Sequence, residues 1–299
     1  MVFLCFKFIK ERRIVLELWI VFIVLYGIFK GLREPIKKKT LEKCDMLSCL
    51  FMYTFIGFLM SIPLTTGSLI ISPYMFVMVA VKSFIIFLAW MAAFVSVRKL
   101  PVSLYGVVDM SRVIFSTVFG VVLLGEPLTV RGMISLLLVV GGLYLVNLKK
   151  TGMKEDYNIK YVWITIGGCA LNAVSAIFDK YLMSTGEITS SQLQFWFMLM
   201  LSAFYLAYIL ISGKKVDVKG CIRHPGIYIL SFLLVMGDKL LFIANANPAS
   251  KVTVMTLIKQ SAVIVTIAAG KIVYKEKNIA YKVICAIIII VGILISVAN

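Results

Sequence analysis

Residues 111–120 read SRVIFSTVFG, and residues 261–270 read SAVIVTIAAG. The two stretches lie 150 residues apart, half the length of a 299-residue chain. Ser, Val, Ile and Gly recur in the same order, and Ser116 falls over Thr266, so a hydroxyl is kept. The register continues without a gap to Glu126 and Glu276, Ile134 and Ile284, and Gly142 and Gly292. Upstream it pairs Ile14 with Ile164, Val24 with Val174 and Lys30 with Lys180. Apolar letters coincide easily by chance. Lys, Ser, Gly and Glu at a single offset do not.

The background to this repeat is apolar. Hydrophobic residues make up 61% of the chain and charged residues 15%, with a mean hydropathy of +1.01. Soluble domains are about half apolar and about a quarter charged. Too few charges remain here to cover a soluble surface, and disorder, a coiled coil and a small disulfide scaffold are excluded on the same grounds. The composition predicts an all-α integral membrane protein, because a membrane barrel would show short alternating segments of about ten residues instead of long apolar runs.

Ten such runs can be marked, at about 14–30, 46–66, 74–97, 103–124, 132–148, 161–183, 192–212, 226–245, 252–274 and 281–298. Residues 1–150 and 151–299 then hold five each. An odd number of spans per repeat forces the two copies to insert with opposite topology. Inverted repeats are a mark of secondary transporters, with a substrate site near the midplane where the halves meet. Old gene duplication without transport is the plainer alternative.

The net charge of +17 does not point to nucleic acid, since no basic domain stands outside the spans. Most Lys and Arg lie between runs, where they anchor loops at anionic lipid. Nineteen of the 31 lie in or beside loops after odd-numbered spans and six on the opposite side. The positive-inside rule would put both termini outside, while the basic N-terminus argues the other way. Trp19, Trp163 and Trp196 fall near run ends, as interfacial aromatics do. Six cysteines form no CxxC pair and read as small buried residues. With His224 the single histidine, no His-based metal site or Ser/His/Asp triad is available, and neither metal nor cofactor is expected.

A glutamate closes the fourth span of each half, in Leu124-Gly-Glu-Pro-Leu-Thr129 and Tyr274-Lys-Glu-Lys-Asn278. Each is followed by an apolar span containing Gly142 or Gly292. With ten spans in two five-span halves, the chain resembles the drug/metabolite transporter superfamily, EamA-type. The family pattern is a Gly-Glu pair before the last span of each half, and Lys275 replaces the glycine in the second copy. The resemblance implies a transporter in the plasma membrane. Its relatives export amino acids and other metabolites or exchange sugar phosphates and nucleotide sugars, and many are thought to have cytoplasmic termini.

Ionisable groups inside a bilayer cost about 2.5–3.5 kcal/mol each on insertion scales, so they face partners or a wet cavity. Lys82, Asp109, Arg112, Asp238, Lys239 and Lys259 lie within spans. Asp109, Arg112 and Ser116 share one helix face at i, i+3 and i+7. They form either a polar cavity wall or, for the first two, a self-neutralising pair. Lys259 is the repeat counterpart of Asp109 and either pairs with it across the pseudo-two-fold axis or offers a cation to substrate. Asp238 and Lys239 point about 100° apart, so at least one needs a partner on another helix, and Asn245 shares the face of Asp238. Lys259, Arg112, Lys239, Asp109, Asp238, Ser116, Thr266 and Asn245 are the expected substrate-binding residues. Lys82 reads as a snorkelling residue nearer a helix end, as do Lys30 and Asp179-Lys180. Asn172, Ser175 and Asp179 form a polar stripe at helical spacing, suited to a cavity mouth. Glu126 and Glu276 read as structural caps favoured by the helices that follow them. Gly120 and Gly270 read as points of close helix approach.

The cations Arg112, Lys239 and Lys259 outnumber the acids Asp109 and Asp238, which favours an anionic or zwitterionic metabolite. A cation exporter using one of the two acids, with protons as coupling ion, and a lipid-linked sugar flippase are the alternatives. Monomer and homodimer are both compatible. A membrane enzyme finds little support: HExxH and DDxxD are absent, and Val235-Met-Gly-Asp238 lacks the first glycine of the intramembrane aspartyl protease GxGD motif. A non-transporting membrane sensor would carry no signalling domain here.

Overall fold

The computed structural model describes residues 2–99, 108–109, 111–148, 158–214, 216–262, 264–265, 268 and 279–297. Thr266, Gly270 and Glu276 lie outside the described residues, as does part of the fourth and ninth expected spans. Among the described residues every regular element is helical. The helices are α1 (Val2–Leu41), α2 (Met46–Ser61), α3 (Pro73–Lys99), α4 (Ser111–Leu124), α5 (Val130–Leu148) and α6 (Ile159–Ser184). They continue as α7 (Ser190–Ser212), α8 (Val218–Arg223), α9 (Pro225–Ala246), α10 (Val252–Ile258) and α11 (Ile279–Val297). Tight 3-10 turns cover Ile62–Leu64 and Lys259–Ser261.

Five stretches are long and apolar enough to cross a bilayer among the described residues: Met46–Leu64, Pro73–Ser96, Ile159–Ser184, Ser190–Ser212 and Pro225–Ala246. The chain is an integral, multi-pass membrane protein. The helix limits follow the apolar runs closely, because caps stop the helices where hydropathy falls. Asp45 accepts from the Leu47 amide at 3.0 Å to start α2, and Thr189 and Gln192 form a reciprocal capping box at the start of α7. Gly213 ends α7 with a φ of 60°, where a Cβ would be strained.

Two elements depart from the sequence reading. The first expected span, 14–30, is part of a 40-residue helix that continues through Pro35. Lys, Arg and Glu at its ends are good helix formers, so polarity ends the apolar run without ending the helix. The six-residue α8 was not expected; Asp217 caps it by accepting from the Gly220 amide at 2.8 Å. Trp19 is buried with Ile23, Leu241, Val252, Met255 and Ile258, whereas Trp163 is exposed.

One helix–helix contact joins stretches that are 150 positions apart. On α5, Gly142 leaves room for Ile289 and for the Cys285 carbonyl of α11. On α11, Gly292 leaves room for Val139 and for the Ser135 carbonyl of α5. Adding 150 to 135, 139 and 142 gives 285, 289 and 292, so the contact is reciprocal. The same exchange relates larger pairings: α1 packs on α9 as α6 packs on α3, and α2 packs on α9 as α7 packs on α3. Loops 65–72, 125–129, 185–189 and 247–251 share one end of the bundle, here the first face. Loop 42–45 and residues 216–217 lie at the second face, where the Asp217 amide donates to Ser48 Oγ at 2.9 Å.

Candidate functional site

The polar centre forms where α1, α3, α6 and α9 meet the 3-10 turn after α10. α3 and α6 cross closely because small residues line the crossing. A Cβ on Gly168 would stand 3.1 Å from Ala92 Cβ and 3.3 Å from the Ala89 carbonyl. This approach lets Lys82 Nζ reach Asp179 Oδ1 at 3.1 Å, with side chains 2% and 10% exposed. The ammonium also stands 3.4 Å from the centre of the Phe197 ring and 5.2 Å from that of Phe242. An ion pair taken out of water needs such further partners to offset its desolvation.

Asp238, 8% exposed, projects from α9 into the same centre. It sits in the field of Arg33, Lys82, Asp179 and Lys259. Lys259 Nζ stands 5.5 Å from the centre of the Tyr26 ring. Arg33 Nη1 donates to the Tyr53 hydroxyl at 3.1 Å. Lys259 is delivered by a break in the helix, where α10 tightens into the 3-10 turn Lys259–Ser261. A mid-span change of helix type often marks a hinge. Glycines on α1 accept this turn: a Cβ at Gly27 would overlap Ser261 Oγ, and one at Gly31 would meet the Ala262 carbonyl at 2.6 Å. Among the described residues around this centre, Arg33, Lys82 and Lys259 face Asp179 and Asp238, an excess of one cation.

A second polar group lies toward the second face. Arg112 Nη2 and Asp109 Oδ1 pair at 2.6 Å, with side chains 25% and 33% exposed. They line a crevice with Ala93, Thr165, Gly168, Cys169 and Asn172. Cys169 Sγ donates toward Asp109 Oδ1 at 3.6 Å. The Asp109 carboxylate is thus held by Arg112, within its own stretch of chain, while Lys259 faces Tyr26.

Several expected placements change. Lys82 does not snorkel: it is 1% exposed and paired. Asp179 lies near the end of α6, as expected, but it is buried and paired rather than snorkelling. Lys180 also turns inward, donating to the carbonyls of Asn245 at 3.2 Å and Asn247 at 2.8 Å and to Ser250 Oγ at 2.8 Å. Lys239 lies near the first face rather than among the central charges, with its ammonium on Ser191 Oγ. Asn245 is buried, and its Nδ2 donates to the Leu241 carbonyl at 3.0 Å. Ser116 is buried on α4. Asn172 borders the crevice as the polar stripe suggested.

Glu126 caps a helix, though not the one that follows it. Its carboxylate accepts from the Val252 and Thr253 amides, the second at 2.9 Å, and so caps α10 in the other half of the chain. A carboxylate there meets free N–H groups and the positive end of the helix. Gly120 permits the approach, since a Cβ would stand 2.9 Å from Thr253 Cγ2 and 3.0 Å from Glu126 Oε2. Among the described residues no group of three His, Cys, Asp or Glu is arranged to hold a metal ion.

Sequence reasoning missed Arg33, Tyr26, Phe197 and Phe242 as parts of this centre and misplaced Lys82 and Asp179. Depth held a usable signal: Lys82 lies nine residues inside a 27-residue helix, too deep for ready access to the headgroups.

Residues 17–148 match the EamA-like transporter family, in agreement with the resemblance carried by the Gly-Glu motif and the repeat. A solved crystal structure aligns over 91% of this chain and 95% of its own, with a TM-score of 0.72 at 14% identity. At that identity the likeness shows the fold. No curated protein matches the chain.

Proposed function

We propose that this chain, EamA-like over residues 17–148, is a secondary transporter that moves a small anionic or zwitterionic metabolite across the plasma membrane. In this reading residues 1–150 and 151–299 are two five-helix inverted repeats in one ten-helix bundle, which exposes its centre to each face in turn. The reciprocal Gly142 and Gly292 contacts support the repeat. The observation that carries the substrate class is the charge cluster in which Lys82, Asp179 and Asp238 are buried, Arg33 and Lys259 are half-buried, and the cations exceed the acids by one among the described residues. Charges at such depth are functional by default.

Lys259 and Arg33 then receive a carboxylate or phosphate, and Asp238 receives an ammonium or a proton. Arg112, Asp109 and Asn172 border the path from the second face. Ser116, Asn245 and Thr266 remain proposed polar contacts, whereas Lys239 is better placed to hold the first face. Proton coupling would run through Asp238 or Asp179. Export of an organic cation stays as a second reading, because Lys82 shows that Asp179, Phe197 and Phe242 already accommodate an ammonium.

The test is counterflow in proteoliposomes loaded with amino acids, sugar phosphates or organic cations. Saturable exchange of an anion or zwitterion, lost in Lys259→Ala, supports the proposal. Exchange confined to cations and unaffected by Lys259→Ala refutes it in favour of the second reading.

A further inference from the structure

In sequence the six cysteines lie apart, and none of them recurs at the 150-residue offset. The fold gathers three at the second face. Cys44 lies in loop 42–45, Cys49 in the first turn of α2 and Cys221 on α8. All three are buried in one cluster with Met52, Ile56 and Ile227. The thiols of Cys44 and Cys221 share a hydrogen bond. These two residues come from opposite halves of the chain, 177 positions apart. A buried cysteine packs well as a small apolar residue. That role does not account for two free thiols meeting across the halves.

The local backbone aims both residues at this junction. The Cys44 amide donates to the Thr40 carbonyl at 2.9 Å, which turns the chain as it leaves α1. Thr40 is itself seated against the start of α9, since a Cβ on Gly226 would overlap Thr40 Oγ1. On the other side, the Cys221 amide donates to the Asp217 carbonyl at 3.2 Å, so Cys221 lies one turn after Asp217. The Asp217 amide in turn donates to Ser48 Oγ, beside Cys49 on α2. The two segments are therefore held against each other independently of the thiols.

We infer that Cys44 and Cys221 are a reversible dithiol–disulfide site, oxidised by low-molecular-weight disulfides such as oxidised glutathione. A disulfide brings its sulfurs to about 2.05 Å, and thiols already in hydrogen-bond contact need only a small closing movement. Cys44 attacks first. It lies in a loop and is 8% exposed, against 1% for Cys221, and burial pushes the Cys221 thiol up, which keeps its proton in place. The Cys44 sulfur gives up its proton and bonds to one sulfur of the reagent. The reagent's own sulfur–sulfur bond breaks, and one glutathione leaves with that proton. The Cys221 sulfur then bonds to Cys44, the mixed disulfide breaks, and the second glutathione leaves with the Cys221 proton. The protein pair loses two electrons and two protons, and one oxidised glutathione becomes two reduced ones. The bond fastens the α1–α2 connection to α8, and so joins the two halves covalently at the second face. This inference rests on the thiol contact and not on the proposed transport.

The test uses the full chain with all its native cysteines, in membranes. It is treated with oxidised glutathione, the remaining thiols are blocked, and the digested peptides are weighed by mass spectrometry. A peptide pair joined through Cys44 and Cys221, released by dithiothreitol, is the expected result. Cys221→Ser should stop the reaction halfway and leave glutathione on Cys44. Cys44→Ser should leave Cys221 unmodified, and Cys49→Ser should leave the link intact. Hydrogen exchange on the unmodified chain gives a reading that needs no variant to fold: oxidation should raise protection at 42–49 and 216–226, and dithiothreitol should reverse it. A Cys44–Cys49 link, glutathione retained on Cys44 of the unmodified chain, or no modification at all overturns the inference. So does a Cys44–Cys221 link that leaves protection at both segments unchanged.

Discussion

Lys82 of α3 and Asp179 of α6 form a buried ion pair at 3.1 Å between the two helices. The pair fastens a helix of the first half to one of the second, and Phe197 and Phe242 cover the ammonium. A buried pair of this kind contributes little over an apolar equivalent, yet losing one partner is expensive. Lys82→Met should destabilise the protein in detergent by about 3–5 kcal/mol, because it strands the Asp179 carboxylate. Lys82→Met combined with Asp179→Leu should recover most of the loss. A double-mutant cycle on thermal unfolding checks this, and additive losses would show that the pair is not coupled.

Gly142 and Gly292 should respond alike. A Cβ on Gly142 would stand 2.7 Å from Ile289 Cγ1, and one on Gly292 would stand 2.8 Å from Val139 Cγ2. Either Gly→Ala change should cost about 1–3 kcal/mol through overpacking. Ile289→Ala should rescue the first and Val139→Ala the second. Gly141→Ala, with nothing within 4 Å of the added carbon, serves as the control and should be tolerated. Thermal stability of the set in detergent decides it, and rescue in one half without the other would contradict the reciprocal contact.

Glu126 should act on α10 rather than on α5. Glu126→Ala removes the acceptor for two amides at the start of α10 and should cost about 0.5–2 kcal/mol, as helix caps do. Hydrogen exchange should rise at Val252 and Thr253 and stay unchanged at the start of α5. A rise confined to residues 130–133 would mean that the carboxylate caps its own following helix.

The extent of the fold that could be read from sequence follows from the solvent. Long apolar runs must be helices in a bilayer, so α2, α3, α6, α7 and α9 begin and end close to where hydropathy placed them. The offset of 150 was equally plain, because Gly, Ser and Glu are scarce in apolar spans and their recurrence stands out. Partners across helices were not legible. Lys82 and Asp179 are 97 residues apart, and nothing in either local sequence points to the other. Glu126 precedes a helix in sequence, which suggested the wrong one; its true partner, Val252, lies 126 residues away. Lys239 shows the converse. Its depth in an apolar run pointed to the centre, but the rotation of α9 turns it to Ser191.

The central claim is that the cations of the partly buried cluster, Lys259 above all, receive an anionic group of the solute. Thermal unfolding of the purified protein against anionic, zwitterionic and cationic metabolites tests it most directly, with Lys259→Ala alongside the unmodified chain. A ligand at about 100 times its Kd should add roughly 2.7 kcal/mol of stability. The account predicts stabilisation by an anion or zwitterion that disappears in Lys259→Ala. Stabilisation by cations alone, retained in Lys259→Ala, would contradict it.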